Sequence, residues 1–128
     1  MSVLGLGIDL TEVSRIRALL EKSGERFKQR VFTEGEIRYC EGKADPALHF
    51  AARFAAKEAA SKALGTGFSE GIGWQEIETV NNDSGAPSIV LHRKAALRAE
   101  TMGVGVMMVT LTHTADMAAA SVVAVAKG

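Results

Sequence analysis

Asp45-Pro46-Ala47-Leu48-His49-Phe50-Ala51-Ala52-Arg53-Phe54-Ala55-Ala56-Lys57-Glu58-Ala59-Ala60-Ser61-Lys62-Ala63-Leu64-Gly65 is the stretch that decides the fold. Asp45-Pro46 reads as an N-cap followed by proline in the first helical position, where the missing N–H costs nothing. The helix runs to Leu64, and Gly65 supplies a left-handed stop. At about 100° per residue, Ala52, Ala55, Ala56, Ala59, Ala60 and Ala63 fall within one arc. An all-alanine stripe lets another backbone approach closely, so this helix is expected to lie tight against a sheet. Arg53, Lys57, Glu58, Ser61 and Lys62 fall on the opposite half, with Phe54 among them. That half suits a solvated face in which a Glu58–Lys62 pair contributes about 0.2–0.5 kcal/mol. It equally suits an anionic ligand gripped by Arg53, Lys57 and Lys62, with Glu58 binding a metal. Phe54 is awkward among charges in water, and a second subunit or a ligand is expected to cover it.

Upstream, Val3 to Leu10 reads as a buried strand in which Gly5 and Gly7 permit close backbone approach. Asp9 sits where that strand emerges at the sheet rim. It serves either as an acid flanking the next helix beside Thr11 or as a second ligand to the cation at Glu58. Magnesium often takes only one or two protein carboxylates, with water and substrate phosphate completing its shell. Thr11 is the expected cap of a helix over Glu12 to Lys22, where Val13, Ile16, Leu19 and Leu20 recur at helical spacing. Ser23-Gly24 interrupts it, and Arg26 to Val31 forms a further turn. Thr33 and Glu36 have capping-box spacing ahead of a short helix through Tyr39.

Downstream, Ile77–Val80 and Ser88–Leu91 read as strands joined by the turn Asn81 to Pro87. Arg93–Met102 is an amphipathic helix. Val104–Leu111 and Ala118–Ala126 are two longer strands joined near His113 to Asp116. Helices and hairpins mix without strict alternation, so the fold class is α+β, a mainly antiparallel sheet packed against a long central helix.

The chain has 128 residues, read as a single domain over 1–128. Apolar residues make up 47% and charged residues 23%, which excludes a disordered or collagen-like chain. Fifteen basic residues balance fifteen acidic ones, so whole-molecule attraction to nucleic acid or an anionic membrane is not indicated. A single cysteine, Cys40, excludes an internal disulfide and reads as a buried, unreactive thiol. Met1-Ser2-Val3-Leu4-Gly5 lacks the basic segment of a signal peptide. The longest apolar run, Met117 to Ala126, is far short of a membrane span. The expectation is a cytoplasmic protein with no membrane insertion.

At this point the motifs resemble a known family. Gly7-Ile8-Asp9-Leu10, with Glu12 and Arg15-Ile16, is similar to the N-terminal motif of the phosphopantetheinyl transferases. Phe50 through Gly67 resembles their second motif nearly throughout. The size, the early Asp9 and Thr110-Leu111-Thr112-His113-Thr114 resemble the small holo-[acyl-carrier-protein] synthase subgroup, although that subgroup has serines where Thr110 and Thr112 stand and often an aromatic at Met117. The resemblance implies a phosphopantetheinyl transferase-like fold with one half-unit per chain. It implies transfer of the phosphopantetheine arm of coenzyme A to a serine of apo acyl carrier protein, in support of fatty acid biosynthesis, with release of adenosine 3′,5′-bisphosphate. It implies Mg²⁺ as cofactor and a homotrimer with interfacial active sites.

For the residues, the resemblance implies that Asp9 and Glu58 hold the metal and that Lys62 stabilises the leaving phosphate. Either carboxylate, or a water that one of them holds, takes the serine proton. Arg53, Ser61, Lys62, Gly65, Pro87, His113 and Thr114 are the implied coenzyme A contacts, Pro87 with its neighbours Asn82 and Gly85 in one turn. His49 and His92 have no motif around them and receive no role. Residues 12–30 carry a net +3 and residues 31–49 a net −2. The family docks its acidic carrier on the first helix, so Arg15 and Arg26 are expected to steer the carrier and Phe27 to offer an apolar contact. A non-enzymatic coenzyme-binding module would need the cations but not both carboxylates. An RNA-binding sheet would want strand aromatics, and the chain has few.

Overall fold

Gly5 and Gly7 show why the strand and the helix meet as they do. In the computed structural model, which describes residues 2–128, the elements run β1 (Val3–Glu12), α1 (Val13–Val31), α2 (Glu34–Glu41), α3 (Pro46–Ala63), a single 3₁₀ turn (Trp74–Glu76), β2 (Ile77–Asn81), β3 (Pro87–Leu91), α4 (Arg93–Met102), β4 (Val104–His113) and β5 (Met117–Ala126). An added Cβ at Gly5 would lie 2.0 Å from the Ala63 carbonyl oxygen, and one at Gly7 would lie 1.8 Å from that of Ala59. Only glycine lets β1 touch the backbone of α3. The alanine stripe is the other half of that contact: Ala55, Ala56, Ala59, Ala60 and Ala63 join Ala120, Val122 and Ala124 of β5 in one apolar core.

The expected α+β class with antiparallel pairing is observed, divided between two sheets. Three strands run in the order β1-β5-β4, and β2 pairs with β3 in a separate hairpin. The expectation that β1 is a buried strand is corrected. Helix α3 covers one face only, and successive side chains alternate, so Leu6 and Ile8 are 68% and 69% exposed. Leu10 and, on β4, Val106 and Met108 are also exposed. Leu6 lies opposite Val123, which lies opposite Met108, so the outer face of the sheet is a continuous apolar surface.

Helix α1 begins and bends nearly as its sequence predicts, with non-helical dihedrals at Ser23 (φ −141°, ψ 38°). Its expected cap is corrected: Glu12 takes the N-cap position, and the Thr11 hydroxyl donates to Asp9 Oδ2 at 2.7 Å. Asp45 likewise caps nothing with its side chain, because both its oxygens accept from Arg17 at 3.1 Å. The capping box of α2 forms. Glu36 N–H donates to Thr33 Oγ1 at 3.2 Å, and Thr33 N–H donates to Glu36 Oε1 at 2.9 Å.

The largest departure concerns the charged half of α3. It is neither solvated nor free to grip a ligand as a whole. Arg53, Lys57 and Ser61 are buried, and Phe54 lies under Trp74 at 4.9 Å between ring centroids. Phe54 therefore needs no second subunit to cover it. The reason is tertiary: α1, α2 and the segment leading into β2 fold over this side. Phe27 packs edge-on against Phe32 at 5.6 Å and belongs to the same core, so little of its ring is left exposed in the single chain. Cys40 is buried as expected, and burial pushes its thiol up to about 12. Among the described residues, no helix is long and apolar enough to cross a membrane.

Candidate active site

Asp9 follows Gly5 and Gly7 on the face of β1 turned towards α3, so its carboxylate is carried to the flank of that helix. There Lys62 Nζ stands 3.3 Å from Asp9 Oδ1 and donates to the Ile8 carbonyl at 2.9 Å. Thr11 holds the other Asp9 oxygen. One turn back along α3 is Glu58. Burial pushes its carboxyl above the ordinary glutamate range, and the charge of Asp9 pushes it further; Lys62 and Arg15 oppose the shift without cancelling it. Asp9, Glu58 and Lys62 thus meet as the sequence predicts, on a partly open surface.

A part-buried carboxylate whose ionisation is opposed by burial and by a neighbouring acid makes a site suited to a cation. Among the described residues, no group of three or more His, Cys, Asp or Glu side chains is placed to hold a metal. A cation at this flank would draw on the two carboxylates of Asp9 and Glu58, with the rest of its shell left for water and substrate phosphate. That donor set fits Mg²⁺ and not a structural zinc.

On α3, Arg53 lies about 140° from Glu58 and about 180° from Lys62 around the axis, so it faces the far flank. It lines a cavity of about 420 Å³ with Tyr39, His49, Asn81, Pro87 and His113, over apolar walls from Ala52, Val109 and Leu111. Arg53 Nη2 donates to Asn81 Oδ1, and its guanidinium carbon lies 3.8 Å from the centre of the Tyr39 ring. The His49 and His113 rings stand 6.2 Å apart. Burial holds the His49 imidazole below its ordinary range, with Lys43, Arg53 and His113 adding to the effect. The cavity thus joins one guanidinium to the rings of Tyr39, His49 and His113 over an apolar floor.

The predicted residues therefore fall into two groups on opposite flanks of one helix. Asp9, Glu58 and Lys62 form the first, with Gly65 just beyond them in the left-handed conformation (φ 78°). Arg53, Pro87 and His113 form the second. Ser61 is buried, and its hydroxyl donates to the Glu58 carbonyl at 2.7 Å, so it steadies the helix beside Glu58. Thr114 Oγ1 accepts from the N–H groups of Asp116 and Met117 and holds the β4–β5 turn. Lys57 leaves the site altogether. It is fully buried, 2.8 Å from Glu36 Oε1, and donates to the Trp74 and Ile77 carbonyls. Arg15 lies over the Phe54 ring at 5.4 Å, on the Glu58 side. Tyr39, His49 and Asn81 are the residues that sequence reasoning missed. They carry no motif and reach the cavity from three different elements or connections.

The sequence matches the 4'-phosphopantetheinyl transferase superfamily over residues 5–122. It is 46% identical over 121 residues to a holo-[acyl-carrier-protein] synthase of Solibacter usitatus (strain Ellin6076), covering 94% of this chain and 97% of that one. It is 50% identical over 121 residues to the enzyme of the same name from Maridesulfovibrio salexigens, with the same coverage. The structure resembles the crystal structure of holo-[acyl-carrier-protein] synthase from Neisseria meningitidis with a TM-score of 0.88 at 29% identity, over 96% of this chain and 98% of that one. It also resembles the Helicobacter pylori enzyme in complex with coenzyme A, with a TM-score of 0.83 at 28% identity, over 94% of this chain and 99% of that one. The likeness extends from the glycines of β1 to the middle of β5 and takes in both flanks of α3, and this chain belongs to the 4'-phosphopantetheinyl transferase superfamily.

Proposed function

We propose that the protein is a holo-[acyl-carrier-protein] synthase, which moves the phosphopantetheine arm of coenzyme A onto a serine hydroxyl of apo acyl carrier protein. The observation that carries this reading is the meeting of Asp9, Glu58 and Lys62 beside α3. Close relatives bearing that name, and a structural neighbour with coenzyme A bound, support it. The reaction breaks the bond between the two phosphates of coenzyme A and forms a phosphodiester to serine, with adenosine 3′,5′-bisphosphate as leaving group. Asp9 and Glu58 would hold Mg²⁺, which would supply charge neutralisation on the pyrophosphate, the main thing phosphoryl transfer asks of a protein. Lys62, within reach of the same phosphates, stabilises charge on the leaving group. The serine proton goes to the Asp9–Glu58 pair, directly or through a bound water. Arg53, Pro87 and His113 line the nucleotide pocket, while Gly65 leaves room at the end of α3. Arg15 and Arg26, both exposed on α1, steer the acidic carrier. The place of action is the cytoplasm, in fatty acid biosynthesis.

In one chain the two residue groups lie on opposite sides of α3, so a complete site needs two copies, each giving one flank. The apolar outer face of the sheet is where the copies meet: Leu6, Ile8 and Met108 are more than half exposed and contiguous, the kind of patch that marks an interaction surface. Head-to-tail contacts close as a ring where the rotation between copies permits it, and the family resemblance implies three copies. Ile8→Lys places a charge in the middle of that face. Its expected outcome is a chain with unchanged circular dichroism that sediments as a monomer and no longer transfers the arm. A variant that stays assembled and active would refute the interface.

Mass spectrometry of apo acyl carrier protein, after incubation with this protein, coenzyme A and Mg²⁺, tests the activity. A gain of one phosphopantetheine arm, abolished by chelation, is expected. No gain with the native protein would overturn the reading.

A further inference from the structure

We propose that Tyr39 and Asn81 are positioning residues, which lock the Arg53 guanidinium into the orientation that receives an anionic oxygen of the nucleotide. This rests on the functional reading above and extends it to two residues outside the family motifs quoted. A buried arginine has five donors to satisfy. One Arg53 terminal nitrogen is taken by Asn81 Oδ1. The face of the guanidinium lies on the Tyr39 ring. Arg53 Nε is buried with no partner among the described residues, although the side chain lines the cavity. Nε itself has no exposed surface, so a ligand oxygen is left to the terminal N–H groups that Asn81 does not take.

The two clamps also tie Arg53 to the far wall. Asn81 Nδ2 donates to the Gly85 carbonyl at 2.8 Å, inside the turn that carries Ala86 and Pro87 into the cavity. Asn82 Oδ1 stiffens the same turn by accepting from the N–H groups of Ser84 and Ala86 at 3.0 Å. Tyr39 comes from α2, whose start is fixed by the Thr33–Glu36 capping box. The arginine is therefore held between two elements that are themselves pinned, and it meets its ligand without searching rotamers. Preorganisation of this kind is felt in binding more than in turnover.

Calorimetric titration of coenzyme A into Tyr39→Leu tests the proposal in two backgrounds, native and Arg53→Met. In the native background the affinity falls about tenfold, the loss of a desolvated cation–π contact. The coenzyme A KM rises in step, while kcat stays within about twofold. In the Arg53→Met background the same substitution changes nothing further, because it has no guanidinium left to position. Tyr39→Phe keeps the ring face and restores native affinity. Equal losses in both backgrounds, or no loss in either, would sink the positioning role while leaving the activity intact. A native protein that neither binds coenzyme A nor transfers its arm would sink the functional reading instead.

Discussion

A Glu58→Gln chain binds coenzyme A within a few-fold of native affinity and transfers the arm roughly 10²–10³-fold more slowly. The amide keeps the size of the carboxylate and its place beside Asp9, so the nucleotide pocket on the far flank of α3 is undisturbed. What it removes is the negative charge of one of the two carboxylates on this flank. Time courses of apo carrier protein by mass spectrometry give the rate, and calorimetry gives the affinity. The pH profile supplies a second reading. Burial, with Asp9 beside it, holds the Glu58 carboxyl above its ordinary range, and the active form is the carboxylate. In the metal-free protein that carboxyl therefore takes up a proton earlier, as pH drops, than an ordinary glutamate, and the proton competes with the cation, so the Mg²⁺ concentration needed for half-maximal rate rises on the acid side. The glutamine variant loses this dependence. Transfer that stays within about threefold of native would show that Glu58 is not part of the reacting site.

Lys57→Met destabilises the fold by about 3–5 kcal/mol, the usual result of leaving one partner of a buried ion pair alone. Glu36 is fully enclosed, and its oxygens serve several groups. Oε1 faces Lys57 at 2.8 Å and closes the capping box, while Oε2 accepts from Thr79 N–H at 2.9 Å. Burial pulls the Lys57 ammonium below its ordinary range, and the Glu36 charge is what opposes that pull. Chemical denaturation gives the stability. The double variant Lys57→Met with Glu36→Gln recovers much of the loss, because no isolated charge remains. At low temperature the folded Lys57→Met fraction transfers the arm at the native rate per molecule, since Lys57 reaches no ligand. A rate loss in fully folded protein would restore the sequence-level reading in which Lys57 grips the anion.

Much of the fold is legible because its signals are local. The Thr33–Glu36 box, the Asn81 to Pro87 turn, the start of α3 at Pro46 and its left-handed stop at Gly65 are each written within a few residues. Gly5 and Gly7 announce a close approach without naming its partner, and the alanine stripe of α3 is that partner. The rest depends on groups far apart in the chain. Nothing around Lys57 shows that Glu36 waits twenty-one residues upstream. Nothing around Phe54 shows that Trp74 and Phe27 will cover it. A helix with small residues on one side and charges on the other reads as half-exposed whether or not other elements later fold over the charges. Asp9, Glu58 and Lys62 were legible because a strand rim and one helical turn suffice to bring them together. Tyr39, His49 and Asn81 were not, because the cavity exists only after α2, α3 and the β2–β3 hairpin have converged.

Placing the two residue groups on opposite sides of a single helix has a genetic corollary. Two crippled alleles, one bearing Glu58→Gln and the other Arg53→Met, rescue one another when expressed in the same cell. In mixed assemblies of the kind proposed above, some junctions would bring an intact carboxylate flank from one gene product against an intact arginine flank from the other. Two lesions on the same flank have no such remedy, so the pattern of complementation among mutants maps which wall of the catalytic cleft each residue builds.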